Sequence, residues 1–120
     1  MKTWAVVGLG NNPERAAFGV AKLLQDKGHR IIPVYPRAET VHGEVGYKTL
    51  SEIPGPVDVV DCFVNSTLVG KVVDEAIAIG AKAVWLQLDV IDNDAIARAQ
   101  AAGLITVMDR CPAIEHRKKS

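Results

Sequence analysis

Trp4-Ala5-Val6-Val7-Gly8-Leu9-Gly10-Asn11-Asn12-Pro13 is the stretch on which the fold turns. Four apolar residues without a polar break suit a strand buried on both faces, as strands of a parallel sheet are. The run stops at Gly8, and the pattern that follows is helical: Ala17, Val20, Ala21 and Leu24 stand at i, i+3, i+4 and i+7. Glycines between a buried strand and a helix let the backbone turn tightly and approach a ligand closely. Asn12 is expected to cap the helix and Pro13 to fit its first turn. Backbone N–H groups at such a start, together with the helix dipole, form a site for an anion, typically phosphate. The competing reading is a tight turn that binds nothing.

Outward from this stretch the same unit repeats. Ile31-Ile32-Pro33-Val34, Val57–Val64, Ala83–Leu88 and Leu104–Met108 are further apolar runs. Val69, Val72, Val73 and Ala76 share the helical spacing, and Ala95, Ala99 and Ala102 form a thinner stripe. Gly28, Gly80 and Gly103 each stand between a helical stretch and the next strand, where a glycine closes the last helical turn. Residues 36–56 differ, with Pro36, Gly43, Gly46, Pro54, Gly55 and Pro56. They are expected to form a long loop holding a short strand near Glu44–Tyr47 and one helical turn at Ser51–Ile53. Strands alternating with helices predict an α/β fold with right-handed crossovers. The expected architecture is a three-layer, Rossmann-like, doubly wound parallel sheet of five to six strands. Its order is 3-2-1-4-5-6 with a short third strand, in a single domain over residues 1–120.

Composition narrows the functions. The 120 residues carry 14 basic and 14 acidic side chains, with 48% hydrophobic and 23% charged residues. A neutral chain without a basic block lacks the footprint of a nucleic-acid binder, and Arg117-Lys118-Lys119 reads as a solvated tail. No apolar stretch approaches the roughly 20 residues of a membrane span, and the first apolar run is too short for a signal peptide. Two cysteines, Cys62 and Cys111, are too few for a disulfide framework. A cytoplasmic location follows as the expectation. His29, His42 and His116 are scattered, without metal-ligand spacing, so no metal site is expected.

In an open parallel sheet, ligands bind beyond the carboxyl ends of the strands, where the strand order reverses. Here those ends are Gly8–Pro13, Tyr35–Arg37, Phe63–Ser66, Gln87–Asp89 and Asp109–Cys111. The helix starting near Asn65-Ser66-Thr67 is neutral and rich in hydroxyls. The one starting at Asp92-Asn93-Asp94 already carries carboxylates that repel a phosphate. An anionic ligand is therefore expected over the first helix, reaching toward the second. Pro13 replaces the third glycine of G-x-G-x-x-G, and the second strand ends in Tyr35-Pro36-Arg37 with no carboxylate before Glu39. Both points argue against NAD, whose ribose hydroxyls want an acidic partner there. Arg37 offers a cation for a ribose-bound phosphate, which NADP and coenzyme A both carry; a surface arginine is the plainer alternative. The absence of a G-K-[ST] loop disfavours an ATPase.

Taken together, the residues resemble the small stand-alone CoA-binding proteins, relatives of the CoA-binding domain of the succinyl-CoA synthetase α subunit. The resemblance runs nearly end to end. It is carried by Val6-Val7-Gly8 with Asn11-Asn12-Pro13, Val34-Tyr35-Pro36-Arg37, Tyr47, and Pro54 with Val57-Asp58-Val59-Val60. It continues through Glu75-Ala76-Ile77, Gly80-Ala81-Lys82, Val84-Trp85-Leu86-Gln87-Leu88 and Met108-Asp109-Arg110-Cys111. The resemblance implies coenzyme A lying across the crevice. Its pyrophosphate would rest on Gly8, Leu9, Gly10, Asn11, Asn12 and Pro13, with the adenosine end near Tyr35, Pro36 and Arg37. The pantetheine would pass Phe63, Val64, Asn65 and Gln87, with Arg110 completing the set. Gly8-Leu9-Gly10 departs from the family's common Gly-Ala-Ser, and Asp89 stands where many relatives have glycine; both changes work against CoA binding. The synthetase's phosphorylated histidine belongs to a domain this chain lacks, so ligase activity is not carried over.

Three further side chains invite chemistry. Cys111 follows Asp109 and Arg110, and a neighbouring cation lowers a thiol pKa, but an ion pair that fixes the chain after the last strand explains them equally. Cys62 is expected to act as a small hydrophobe. Asp61, between Val60 and Cys62, needs a polar partner and is expected to cap a loop rather than exchange protons. Trp85 is expected in the core. The leading expectation is thus a CoA or acyl-CoA binding protein, monomer or homodimer, with no catalytic residue assigned. The alternatives are a small NADP-binding, reductase-like protein with Arg37 on the 2′-phosphate, and an interaction module that senses CoA.

Overall fold

The computed structural model describes residues 2–87 and 90–108. Five strands alternate with three helices: β1 (Thr3–Val7), α1 (Ala16–Asp26), β2 (Arg30–Val34), β3 (Val59–Cys62), α2 (Ser66–Ala78), β4 (Ala83–Leu86), α3 (Asn93–Ala101) and β5 (Ile105–Val107). A single 3-10 turn, Leu50–Glu52, interrupts the connection between β2 and β3. All pairings are parallel, and the strand order is β2-β1-β3-β4-β5. This is the expected doubly wound, Rossmann-like α/β fold, whose order reverses between β1 and β3.

The continuous apolar runs became strands because both faces of the sheet are covered. On one face Ala5, Val60, Cys62, Val84 and Leu86 pack with Val69, Val73 and Ala76 of α2 and Ala95 and Ala99 of α3. On the other, Trp4, Val6, Leu9, Ile31 and Val59 pack with Ala17, Val20, Ala21 and Leu24 of α1. The expected helical stripes are the buried ones except at Ala102, which is exposed and caps the end of α3 instead of lying on its buried face. Val72 is only partly buried. Pro33 lies in β2, an edge strand, where a residue without an N–H costs no ladder bond on its outer side. Gly28, Gly80 and Gly103 all take positive φ just after helices, as their positions predicted.

The expected third strand is reduced to one parallel bridge, Val34 to Tyr47. What precedes it is ordered by a feature the sequence reading did not resolve. Val41 and Glu44 exchange backbone hydrogen bonds of 3.0 and 2.9 Å around His42 and Gly43, which have φ of 52° and 81°. Two successive positive φ values describe a type I′ hairpin turn. Val41 at its base is fully buried in the α1-side core, and the His42 ring stacks on Phe18 at 4.3 Å while bonding the Phe18 carbonyl at 2.9 Å. The loop is thereby clipped to α1. At the amino ends of the strands, the Asp58 carboxylate accepts from the Thr3 N–H at 2.8 Å and pairs with Lys82 at 3.5 Å.

Candidate functional site

Where β1 and β3 diverge, a crevice opens at the carboxyl ends of the strands. Gly8 forms its pivot. It has φ of 97°, its N–H bonds the Val34 carbonyl at 2.8 Å, and a Cβ added there would run into the Phe63 carbonyl oxygen. Only glycine permits this approach of the two strand ends. On one side of Gly8 lies a cavity of about 330 Å³ lined by Gly10, Asn11, Asn12, Arg15, Tyr35, Arg37 and Glu39. On the other lies a cavity of about 370 Å³, walled by Arg15, Ala16, Phe63, Asn65, Gln87 and Val90 among others. Gly8 and Arg15 belong to both, so the two form one continuous crevice.

The start of α1 departs from the expected form. Asn12 does not cap the helix: its side chain accepts from the Glu14 N–H at 3.0 Å, and its carbonyl accepts from the Arg15 N–H at 3.1 Å. Asn12-Pro13-Glu14-Arg15 is thus a β-turn with proline at its second position, a favoured arrangement. The helix begins one turn later, with Arg15 as its N-cap, no side-chain cap and no acidic residue in its first turn. By contrast, α2 is capped by Asn65 through the Thr67 N–H at 3.0 Å, and α3 by Asp92 through the Ala95 N–H at 3.0 Å. Of the helix starts among the described residues, only that of α1 lacks a side-chain partner, the reverse of the Asn12 cap expected from sequence.

The delayed start brings in Arg15, a residue the sequence reading missed. A helix expected to open at Asn12 hides position 15 within its first turn; the intervening β-turn makes it the N-cap at the junction of both cavities. Arg15 and Arg37 are exposed, and among the described residues neither is held in an ion pair. Two uncommitted guanidinium groups on one crevice suit anionic, phosphate-like groups.

Other positions need correction. The Leu9 side chain is fully buried in the α1-side core, so only its backbone remains with the loop. Pro13 and Pro36 are exposed and line neither cavity described above. Glu39, judged to lie past the strand, reaches back: it accepts from the Asn11 N–H at 3.2 Å, and Asn11 in turn bonds the Thr40 carbonyl at 2.8 Å. The hairpin at His42–Gly43 folds Glu39 over Gly10, where a Cβ would stand 2.9 Å from its carboxylate. A carboxylate therefore does line the cavity beside Tyr35 and Arg37, and that part of the case against NAD falls. Gly8, Gly10, Asn11, Asn12, Tyr35, Arg37, Phe63, Val64, Asn65 and Gln87 are brought together. Arg110 lies outside the described residues, as do Asp89, Asp109, Cys111 and His116.

Asp61 does not cap a loop. Its carboxyl is fully buried and accepts a hydrogen bond from the Gln87 side-chain amide, while among the described residues its second oxygen has no partner. Burial pushes its pKa up to about 8, against the opposing pull of the Gln87 bond. Cys62 is buried on the α2 side; burial first, then the neighbouring Asp61 carboxyl, pushes its thiol above the usual range. Trp85 is half-buried rather than in the core proper, and stacks on Trp4 at 5.7 Å. Among the described residues no group of three or more His, Cys, Asp or Glu side chains is placed to hold a metal, and no helix is long and apolar enough to cross a membrane.

Comparison with known proteins adds an independent line. A family model described as "CoA binding domain" matches residues 2–117. The chain is 34% identical over 115 residues to the Bacillus subtilis protein YneT, spanning 96% of this chain and 85% of that protein. It is 36% identical over 81 residues to the α subunit of the ADP-forming acetate–CoA ligase II of Pyrococcus furiosus, covering 67% of this chain but only 18% of that subunit. Among solved structures, a hypothetical protein of Pyrococcus horikoshii superposes with a TM-score of 0.93 at 40% identity, over 98% of this chain and 82% of its own.

Proposed function

The chain belongs to the CoA-binding domain family, and from that premise we propose that it binds coenzyme A, free or acylated, in the crevice pivoting on Gly8. The observation that carries this reading is the continuity of the two cavities through Gly8 and Arg15. An elongated ligand with an anionic nucleotide end and an uncharged arm matches a crevice that is cationic at Arg15 and Arg37 and polar but neutral at Asn65 and Gln87. The ribose phosphate is assigned to Arg37, the pyrophosphate to Arg15 and the backbone of residues 8–12, and the pantetheine to the Phe63–Asn65 and Gln87 side. The start of α1, with no side-chain cap and no acid in its first turn, adds its dipole to the pyrophosphate position.

No reaction is assigned to this site. Asp61 and Cys62 are fully buried, the first bonded to Gln87 and the second facing the other core. The proposed role is to hold the cofactor, as a carrier or as a module that reports its presence to a partner.

Two measurements test the reading. Denaturing mass spectrometry of freshly purified protein is expected to release a mass matching coenzyme A or an acyl-CoA. Thermal shift with coenzyme A, NADP and NAD is expected to show stabilisation by the first alone. Stabilisation by NADP or NAD without coenzyme A refutes it, and the NAD arm answers directly for the carboxylate of Glu39.

A further inference from the structure

Asp61 is the least economical residue in the sheet. In register it stands between Val6 of β1 and Trp85 of β4, on the face packed by α1, a position suited to a valine or isoleucine. Its carboxyl is fully buried, receives one hydrogen bond, and among the described residues leaves Oδ2 unpartnered. An unsatisfied buried polar atom is a net cost to the fold. A pair that served only the fold would be complete within itself. This one is not, and its other member, Gln87, is 4% exposed yet lines the cavity beside Gly8, Arg15, Phe63 and Asn65. The backbone of Gln87 is fixed as well: its N–H bonds the Cys62 carbonyl at 3.3 Å and its carbonyl accepts from the Val90 N–H at 3.0 Å. The main chain thus sets where Gln87 begins, and Asp61 sets where its side chain ends.

We propose that Asp61 is a positioning residue of the crevice. Its carboxyl holds the Gln87 amide so that the remaining amide donor and acceptor meet the uncharged, amide-bearing arm of the ligand. An amide offers one donor and one acceptor, and so does a glutamine side chain already bonded once through its nitrogen. Without Asp61, Gln87 regains its rotamers and the match is lost. At neutral pH the acid is held in its protonated form by burial, so the device adds no charge to a neutral part of the crevice. The proposal rests on the coenzyme A reading above and deepens it, assigning to Asp61 selectivity for the pantetheine arm.

The test compares two ligands on the parent protein and four variants by isothermal titration: coenzyme A, and adenosine 3′,5′-bisphosphate, which keeps the nucleotide end and lacks the arm. Asp61→Leu is expected to weaken coenzyme A binding about tenfold, the loss of one good hydrogen bond, and to leave the bisphosphate unchanged. Asp61→Asn, which still bonds the Gln87 amide, is expected to restore affinity to within about threefold of the parent. Gln87→Leu is expected to show the same selective loss, and the Asp61→Leu/Gln87→Leu pair no more than either alone, as for residues acting as one unit. Equal weakening of both ligands by the two leucine variants, or none, overturns the role of Asp61. Failure of the parent protein to bind coenzyme A refutes the underlying reading instead, and the assignment of Asp61 falls with it.

Discussion

Gly8 is the residue whose side chain, a single hydrogen, sets the width of the crevice. Its φ of 97° and the Phe63 carbonyl packed against it leave no room for a methyl group. Gly8→Ala is expected to cost about 2 kcal/mol or more, strain and collision together, visible as a lower urea midpoint with an unchanged slope. Asp61 makes the opposite prediction. The folded protein retains a proton to about pH 8, whereas the unfolded chain releases it near 3.8. Between those values the unfolded state binds fewer protons, so the contribution of Asp61 to stability falls as pH rises, by up to about 1.4 kcal/mol per pH unit. Asp61→Asn removes this dependence. The difference in unfolding free energy between variant and parent is therefore expected to move in the variant's favour from pH 5 to pH 8 and to level off above. Cys62, buried with its thiol pushed up, is expected to stay unlabelled by iodoacetamide in the native protein and to react only after denaturation. The oddness of Asp61 was legible in the sequence as an acid inside an apolar run. Its partner was not, because Gln87 lies 26 residues away and only the β3–β4 register brings the two together.

The helices show how far local chemistry reaches. Asn65 and Asp92 cap α2 and α3 where their side-chain types predicted a start. Removing either by substitution with alanine is expected to cost about 1 kcal/mol, readable in the thermal midpoint. Asn12, of the same chemical type, does not cap α1, because the following proline and glutamate let it close a β-turn on itself. Turn and cap compete for the same side-chain oxygen, and a propensity reading cannot tell which wins. The one-turn delay decides the site, since it puts Arg15 at the junction of both cavities. In the loop from β2 to β3 the short strand and helical turn are expected from sequence, but the hairpin is not; it rests on His42, a residue less associated with tight hairpins than Asn or Gly, in a positive-φ position and on its contact with Phe18 of α1. Glu39 went unrecognised as a crevice residue for that reason.

For the whole molecule, the order of strands was legible because two simple signals repeat: unbroken apolar runs and glycines after helices. Of the five to six strands expected, five form the sheet among the described residues, and the short piece near Glu44–Tyr47 adds only a single bridge beside β2. Zero net charge over 14 basic and 14 acidic residues also has a consequence at this scale. With no long-range field to steer an anion, the proposed affinity for coenzyme A has to come from close contacts. Raising salt from about 0.1 M to about 1 M shortens the screening length from about 10 Å to about 3 Å. Coenzyme A affinity is expected to fall by about tenfold or less over that range. Arg15→Ala and Arg37→Ala are each expected to lower affinity by about tenfold and to flatten the salt dependence, as isothermal titration at several salt concentrations shows.

The shared walls at Gly8 and Arg15 join the two halves of the crevice end to end. A ligand long enough to span it touches the end of β2, the turn before α1 and the loops after β3 and β4, four segments that follow four different strands. Such a ligand acts as a removable cross-brace. At a concentration of about 100 times its dissociation constant it adds about 2.7 kcal/mol to unfolding, a substantial part of what holds a domain this small together. If coenzyme A is that ligand, resistance to limited proteolysis is expected to rise with its concentration.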